Sequence, residues 1–169
     1  MRPVTVRRRT EHGVSVSLFQ DLQALGVRLD IARQHKPSRA VSLLDRDTTF
    51  PALGLGDRHL QLDVHDIETE MEGLDACCDT RMRTIIDFVS SWDRSAPILI
   101  HCYAGISRST ATAYITACIH NPSADEALIA QKLREVSPTA TPNRRFVALA
   151  DTALTRRATA RAAGCCASG

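Results

Sequence analysis

Pro97-Ile98-Leu99-Ile100 is a short, unbroken apolar run, and it leads directly into His101-Cys102-Tyr103-Ala104-Gly105-Ile106-Ser107-Arg108-Ser109. A run of this kind suits a strand covered on both faces, the situation of a central strand in a parallel sheet flanked by helices. From Ser109 onward, Thr110 to Ile119 reads as a buried helix despite its β-branched residues, because the small side chains among them allow a close approach to the sheet. Strand, tight loop and helix in that order put the loop at the carboxyl end of a strand. That is the edge on which open α/β sheets bind ligands.

The remaining chain supports the same architecture. Val14 to Leu18 and Ala40 to Leu44 read as strands, and Leu29 to His35 as a helix that stops before Pro37. His59 to His65 alternates polar and apolar residues with period two, as a half-buried strand does, and Asp66 sits where that strand ends. Met82, Ile85, Ile86 and Val89 form a helical stripe within Cys77 to Trp92. Two further helices, Ala124 to Val136 and Asn143 to Leu154, are separated by Pro138 and Pro142. The expected fold is a single α/β domain over residues 14–157, with a central, mainly parallel sheet of about four or five strands flanked by helices. Residues 1–13 and 158–169 are expected to be flexible ends.

A chain of 169 residues is economically one domain, and 44% hydrophobic with 24% charged residues is ordinary for a globular protein. The 21 Lys and Arg against 19 Asp and Glu leave a formal charge of +2, too balanced for a surface given over to nucleic acid or membrane. Anion recognition must therefore be local. Six cysteines include the adjacent pairs Cys77-Cys78 and Cys165-Cys166, and no secretory apolar segment precedes them, so a reduced, cytoplasmic chain is expected. A zinc site built from Cys77, Cys78, His65, His101 and Cys102 is disfavoured, because no CxxC pair exists and adjacent cysteines chelate one ion poorly.

The loop itself carries the chemistry. A strand-to-helix loop can direct backbone N–H groups and the positive end of the helix dipole at one point, where a phosphate can sit. Gly105 lets the main chain curl, and Tyr103, Ala104, Gly105, Ile106 and Ser107 would line the cup. Arg108 can clamp two phosphate oxygens with its planar fork. Cys102 lies beneath, where the same field favours thiolate over thiol and lowers a pKa that is about 8.5 in a free cysteine. His101 can brace the loop through its backbone, and the Ser109 hydroxyl can donate to the sulfur as it leaves. Taken singly, Cys102 could be a small buried apolar residue, His101 a core histidine and Ser109 a helix cap. The nine residues together at this junction demand more than that.

Attack of a thiolate on a phosphate ester needs a proton donor for the leaving oxygen. Asp63, Asp66, Glu68, Glu70, Glu72 and Asp75 are the candidates. Asp63 falls within the strand, and the three glutamates suit a solvated acidic loop. Asp66 is preferred because it lies just past the strand end on the ligand-binding edge, with Ile67 to Gly73 polar enough to form a mobile loop that brings it over the phosphate.

The pattern His-Cys-x-x-Gly-x-Ser-Arg-Ser resembles the signature loop of the cysteine-dependent protein tyrosine phosphatases, most closely the short dual-specificity-like branch that includes small bacterial enzymes. The resemblance runs back through His59 to Asp66, similar to the strand and general-acid loop of that branch, and forward to Pro142-Asn143 ahead of the last helix. It implies a phosphocysteine mechanism without metal or other cofactor, and it places the acid at Asp66. Three functions follow: a protein-tyrosine phosphatase, with phosphoserine and phosphothreonine open alongside; a phosphatase of the same chemistry on a phosphoinositide, inositol phosphate or RNA 5′-triphosphate; or a phosphate-binding module without turnover. Highly charged substrates would call for lysines in the loop, whereas Tyr103, Ala104 and Ile106 occupy its variable positions, so a phosphorylated protein or peptide is preferred.

Overall fold

The computed structural model of the chain describes residues 16–17 and 34–166. Among these, strands β1 (Val16–Ser17), β2 (Arg39–Leu44), β3 (His59–Asp63) and β4 (Ile98–His101) form one sheet in the order β1-β4-β2-β3. Every pairing is parallel. Helices α1 (Asp79–Ser90), α2 (Arg108–His120), α3 (Glu126–Val136) and α4 (Arg144–Cys166) complete the domain. The single parallel α/β domain expected from the sequence is what the chain forms. The helix expected over Leu29 to His35 falls mainly outside the described residues, as do the first 13 residues.

β4 is buried along its whole length, as its unbroken apolar run required. Its side chains divide by the period of two: Ile98 and Ile100 join Val41 and Leu43 of β2 in the main core with Met82, Ile85, Ile86 and Val89 of α1, while Leu99 packs with Ala40, Leu53 and Leu55 in a smaller cluster. The apolar residues of β3, Leu60 and Leu62, pack against the main core, followed by Val64 just past the strand end. The buried stripe of α1 is the predicted one.

α2 is buried on almost every side through Arg108 to Ala113, so its small residues separate the sheet from other helices. The threonines are tolerated there because their hydroxyls donate back along the helix, Thr116 Oγ1 to the Thr112 carbonyl at 2.7 Å.

One boundary is corrected. The last helix was expected to stop near Leu154, yet the backbone of α4 runs to Cys166. The stretch Arg156 to Ala163 is rich in Ala and Arg and free of glycine and proline, so local propensity sustains the helix beyond the last apolar turn. Phe146, fully buried, anchors the start of α4 in the core. Phe146→Ala is expected to lower unfolding free energy by about 3–5 kcal/mol, measured by urea denaturation; a loss below about 1 kcal/mol would show that α4 does not contribute to the main core.

Candidate active site

Parallel register determines which residues can meet. Leu44 of β2 is paired with Asp63 of β3, and Ser42 of β2 with His101 of β4, so the residues that follow each strand emerge along one edge. Asp45, Val64 and Cys102 are those residues. Arg108, in the first turn of α2 and 3% exposed, ties them together: its Nη1 donates to Asp45 Oδ1 at 2.8 Å and to the Val64 carbonyl at 2.6 Å. One nitrogen of the guanidinium is thereby committed to the protein. Nε of Arg108 is buried with no protein acceptor, and a planar guanidinium presents Nε and Nη2 along another edge, the pair a phosphate would take.

Cys102 is 1% exposed, at the carboxyl end of β4. The Gly105 N–H donates to its Sγ at 3.3 Å, and Ser109 Oγ lies 3.2 Å from the sulfur. Gly105 has φ of 73°, a left-handed conformation that any side chain would strain, and this turn brings its N–H back over the sulfur. The loop is held from behind: the Ile106 carbonyl accepts from Thr141 N at 2.9 Å, and the Ser107 carbonyl accepts from Thr110 Oγ1 and Ala111 N, each at 2.9 Å. Tyr103, Ala104 and Ile106 are exposed at the mouth, while Gly105 is buried and Ser107 half-buried.

Asp66 reaches the same place from β3. Its Oδ1 accepts from Ser107 Oγ at 2.6 Å and from Asn143 Nδ2 at 2.9 Å, so the carboxylate is docked against the signature loop by one oxygen. Asn143 is 2% exposed and doubly used, since its Oδ1 accepts from Phe146 N at 3.2 Å and so caps α4. The segment following Asp66 is tethered at its two ends and at Glu68 and Glu70. Residues 65 and 75 close it through His65 N to the Asp75 carbonyl at 2.8 Å and Asp75 N to His65 Nδ1 at 2.9 Å. Arg145 donates to the Cys77 carbonyl at 2.6 Å, to the Glu68 carbonyl at 3.5 Å and to Glu70 Oε1 at 2.9 Å. Glu68, Glu70 and Glu72 are exposed, as expected of a solvated acidic loop, while Glu68 also accepts from Arg144 N at 3.1 Å, so Glu68 and Glu70 additionally link the loop to α4. Asp75 is engaged by Arg46 and Arg81, and Asp63 is exposed on β3.

His101 is buried in β4, with Nε2 2.6 Å from Ser42 Oγ. Asp45, Ser42, Asn143 and Arg145 belong to this assembly and were not singled out as site residues from the sequence. Pro142-Asn143 was the one signal among them. Trp92 and Tyr114 serve as packing residues. Among the described residues, no three His, Cys, Asp or Glu side chains gather as a metal-holding group.

Comparison with known proteins agrees with this geometry. The family described as protein-tyrosine phosphatase matches residues 75–140, which include the signature loop and α2. No curated protein matches the chain by sequence. Among solved structures, human DUSP28 is 17% identical with a TM-score of 0.63, covering 90% of this chain and 94% of its own. The PTP-2 phosphatase of Cydia pomonella is 20% identical with a TM-score of 0.64, covering 86% and 88%. A human tyrosine phosphatase-like serine/threonine/tyrosine-interacting protein is 18% identical with a TM-score of 0.63, covering 84% and 92%. At these identities the structures speak to the fold. Over residues 75–140 the chain is similar to the protein-tyrosine phosphatase family, and its fold is that of the dual-specificity phosphatase structures.

The other thiols differ sharply in reactivity. Burial pushes Cys77 up to about 12 and Cys118 up to about 11, whereas Cys78, at the N-terminus of α1, is lowered by hydrogen bonds from the Arg81 and Thr80 backbone. At pH 8 the raised thiols remain protonated and the lowered one is more ionised. Iodoacetamide is therefore expected to label Cys78 well before Cys77 or Cys118, as read by tandem mass spectrometry; equal labelling would contradict this ordering.

Proposed function

We propose that the chain is a metal-independent protein-tyrosine phosphatase, with dual specificity open to it, acting through a phosphocysteine intermediate. The observation that carries this reading is the convergence of Cys102, Arg108 and Asp66 on one loop, each held by its own set of partners. A module that only binds phosphate needs neither the nucleophile nor the acid.

In the proposed reaction Arg108 receives two phosphate oxygens on Nε and Nη2, with Tyr103, Ala104, Gly105, Ile106 and Ser107 forming the cup. The Cys102 thiolate attacks phosphorus as the bond to the leaving oxygen breaks. Asp66 supplies the proton to that oxygen. Because both donors to Asp66 use Oδ1, Oδ2 is the oxygen left to carry it. Water then attacks phosphocysteine, the Asp66 carboxylate takes its proton, and the S–P bond breaks with Ser109 donating to the departing sulfur. His101 supports the strand end that holds Cys102.

A phosphorylated protein or peptide is the proposed substrate, because the exposed loop positions are Tyr103, Ala104 and Ile106 rather than lysines. The catalytic domain is assigned to residues 14–157, and its reduced thiols suit a cytoplasmic setting. No helix among the described residues is long and apolar enough to cross a membrane.

Cys102→Ser is expected to abolish turnover of an aryl phosphate and a phosphotyrosine peptide, assayed with chelator present, while retaining vanadate binding. Retained turnover would overturn the mechanism, and a requirement for added Mg²⁺ or Zn²⁺ would overturn its metal independence. Arg108→Lys is expected to be nearly as severe, since a point charge cannot replace a two-pronged fork that also holds Asp45.

Asp66→Asn is expected to slow phosphotyrosine or alkyl phosphate hydrolysis by about 10²-fold or more, with a much smaller effect on an aryl phosphate whose phenol leaves unprotonated. Asn143→Ala should show the same leaving-group dependence in weaker form, because Asp66 loses one of its two anchors. Normal rates for Asp66→Asn on poor leaving groups would pass the role to Asp63 or Glu68.

A further inference from the structure

The face of the sheet turned away from the main core carries a line of polar side chains that the reaction described above leaves unused. Ser42 is fully buried and lies directly opposite His101 on one side and Gln61 on the other. Its hydroxyl is 2.6 Å from His101 Nε2 and 2.7 Å from His59 Nε2. His59 is half-buried, and its Nδ1 lies 3.2 Å from the side-chain nitrogen of Gln61. Two imidazoles thus share one hydroxyl, which has a single proton to give.

The direction of the chain follows from its outer end. The Gln61 amide nitrogen can only donate, so His59 Nδ1 accepts and the ring proton of neutral His59 sits on Nε2. That N–H donates to Ser42 Oγ, and the Ser42 proton is then directed at His101 Nε2. His101 must accept there, which leaves its own proton on Nδ1, the nitrogen next to the main chain that runs into Cys102. Burial lowers the pKa of His59 and favours the neutral ring that this arrangement requires.

We propose that Gln61, His59 and Ser42 form a hydrogen-bonded relay that fixes His101 as its Nδ1–H tautomer, making His59 and Ser42 positioning residues for the catalytic loop. The proposal rests on the phosphatase reading for its effect on rate, but the tautomer itself is independent of activity. A ring held in one tautomer presents a constant donor edge beside the nucleophile. One free to exchange tautomers presents a donor and an acceptor in turn.

Long-range ¹H–¹⁵N correlation spectra of the full chain report the tautomer of each histidine. Wild type is expected to show His101 as Nδ1–H and His59 as Nε2–H. Ser42→Ala and His59→Phe should move both His101 nitrogen shifts toward averaged values. His59→Gln keeps an N–H donor for Ser42 and should restore the wild-type His101 signature. In parallel, alkylation of Cys102 at fixed pH and kcat/KM for an aryl phosphate are expected to fall about five-fold in His59→Phe and recover in His59→Gln. Arg108, Asp45 and Asp66, the charged groups of the site, are untouched in these variants.

An Nε2–H tautomer of His101 in wild type would overturn the relay, as would a His101 signature unchanged in Ser42→Ala. Equal activity losses in His59→Phe and His59→Gln would reduce His59 to a packing role and also overturn it. Turnover retained by Cys102→Ser would instead remove the phosphatase reading, and the tautomer measurement would still decide the relay.

Discussion

Arg108 is where the strand ends are joined. Burying a charged guanidinium at 3% exposure is costly unless its N–H groups find acceptors, and two of these contacts go to groups from different strands: the Asp45 carboxylate after β2 and the Val64 carbonyl after β3. The arginine itself begins α2, directly after the loop that follows β4. Three strand ends are therefore joined through one side chain.

The Asp66 carboxylate is positioned by the same economy of contacts. Ser107 belongs to the signature loop and Asn143 caps the last helix, yet both donate to a single oxygen of Asp66. Movement of α4 relative to α2 would therefore be felt at the carboxylate. Arg145, two residues further along, grips the chain at Cys77, Glu68 and Glu70, so the segment that follows Asp66 is fastened by the same helix at several points. The result is a carboxylate held in a fixed place against the signature loop.

The two faces of the sheet do different work. Toward the helices lie Val41, Leu43, Ile98 and Ile100, whose burial supplies the apolar contacts of the main core. Toward the other side lie Ser42 and His101, buried polar groups that satisfy one another in a line extending to His59. The strand that most needs to be apolar thus ends in a histidine, and the cost of burying its ring nitrogen is offset by a neighbouring strand's hydroxyl.

Short-range information in the chain was enough for much of this. The apolar run Pro97 to Ile100, the period of two from His59 and the stripe through Met82, Ile85, Ile86 and Val89 depend on repeats of two or 3.6 residues, and such repeats are visible without knowing the fold. The nine residues from His101 to Ser109 stand out as a candidate site because their chemistry is contiguous, and Asp66 as a candidate acid because a strand end points it to the edge where that loop lies. Tertiary structure decided the rest. Asp45 looked like a residue closing a strand, Ser42 like a small residue within one, and Asn143 like half of a Pro-Asn pair. Each acquires its role from a partner far away in sequence: 63 residues for Asp45 with Arg108, 59 for Ser42 with His101 and 77 for Asn143 with Asp66. The extension of α4 to Cys166 was missed for a different reason, since the apolar pattern marks only where a helix is buried, whereas the Ala- and Arg-rich stretch after Thr155 favours helix through backbone propensity. Periodicity and contiguous motifs are properties of the chain, whereas a hydrogen bond across parallel strands exists only once their register has been set.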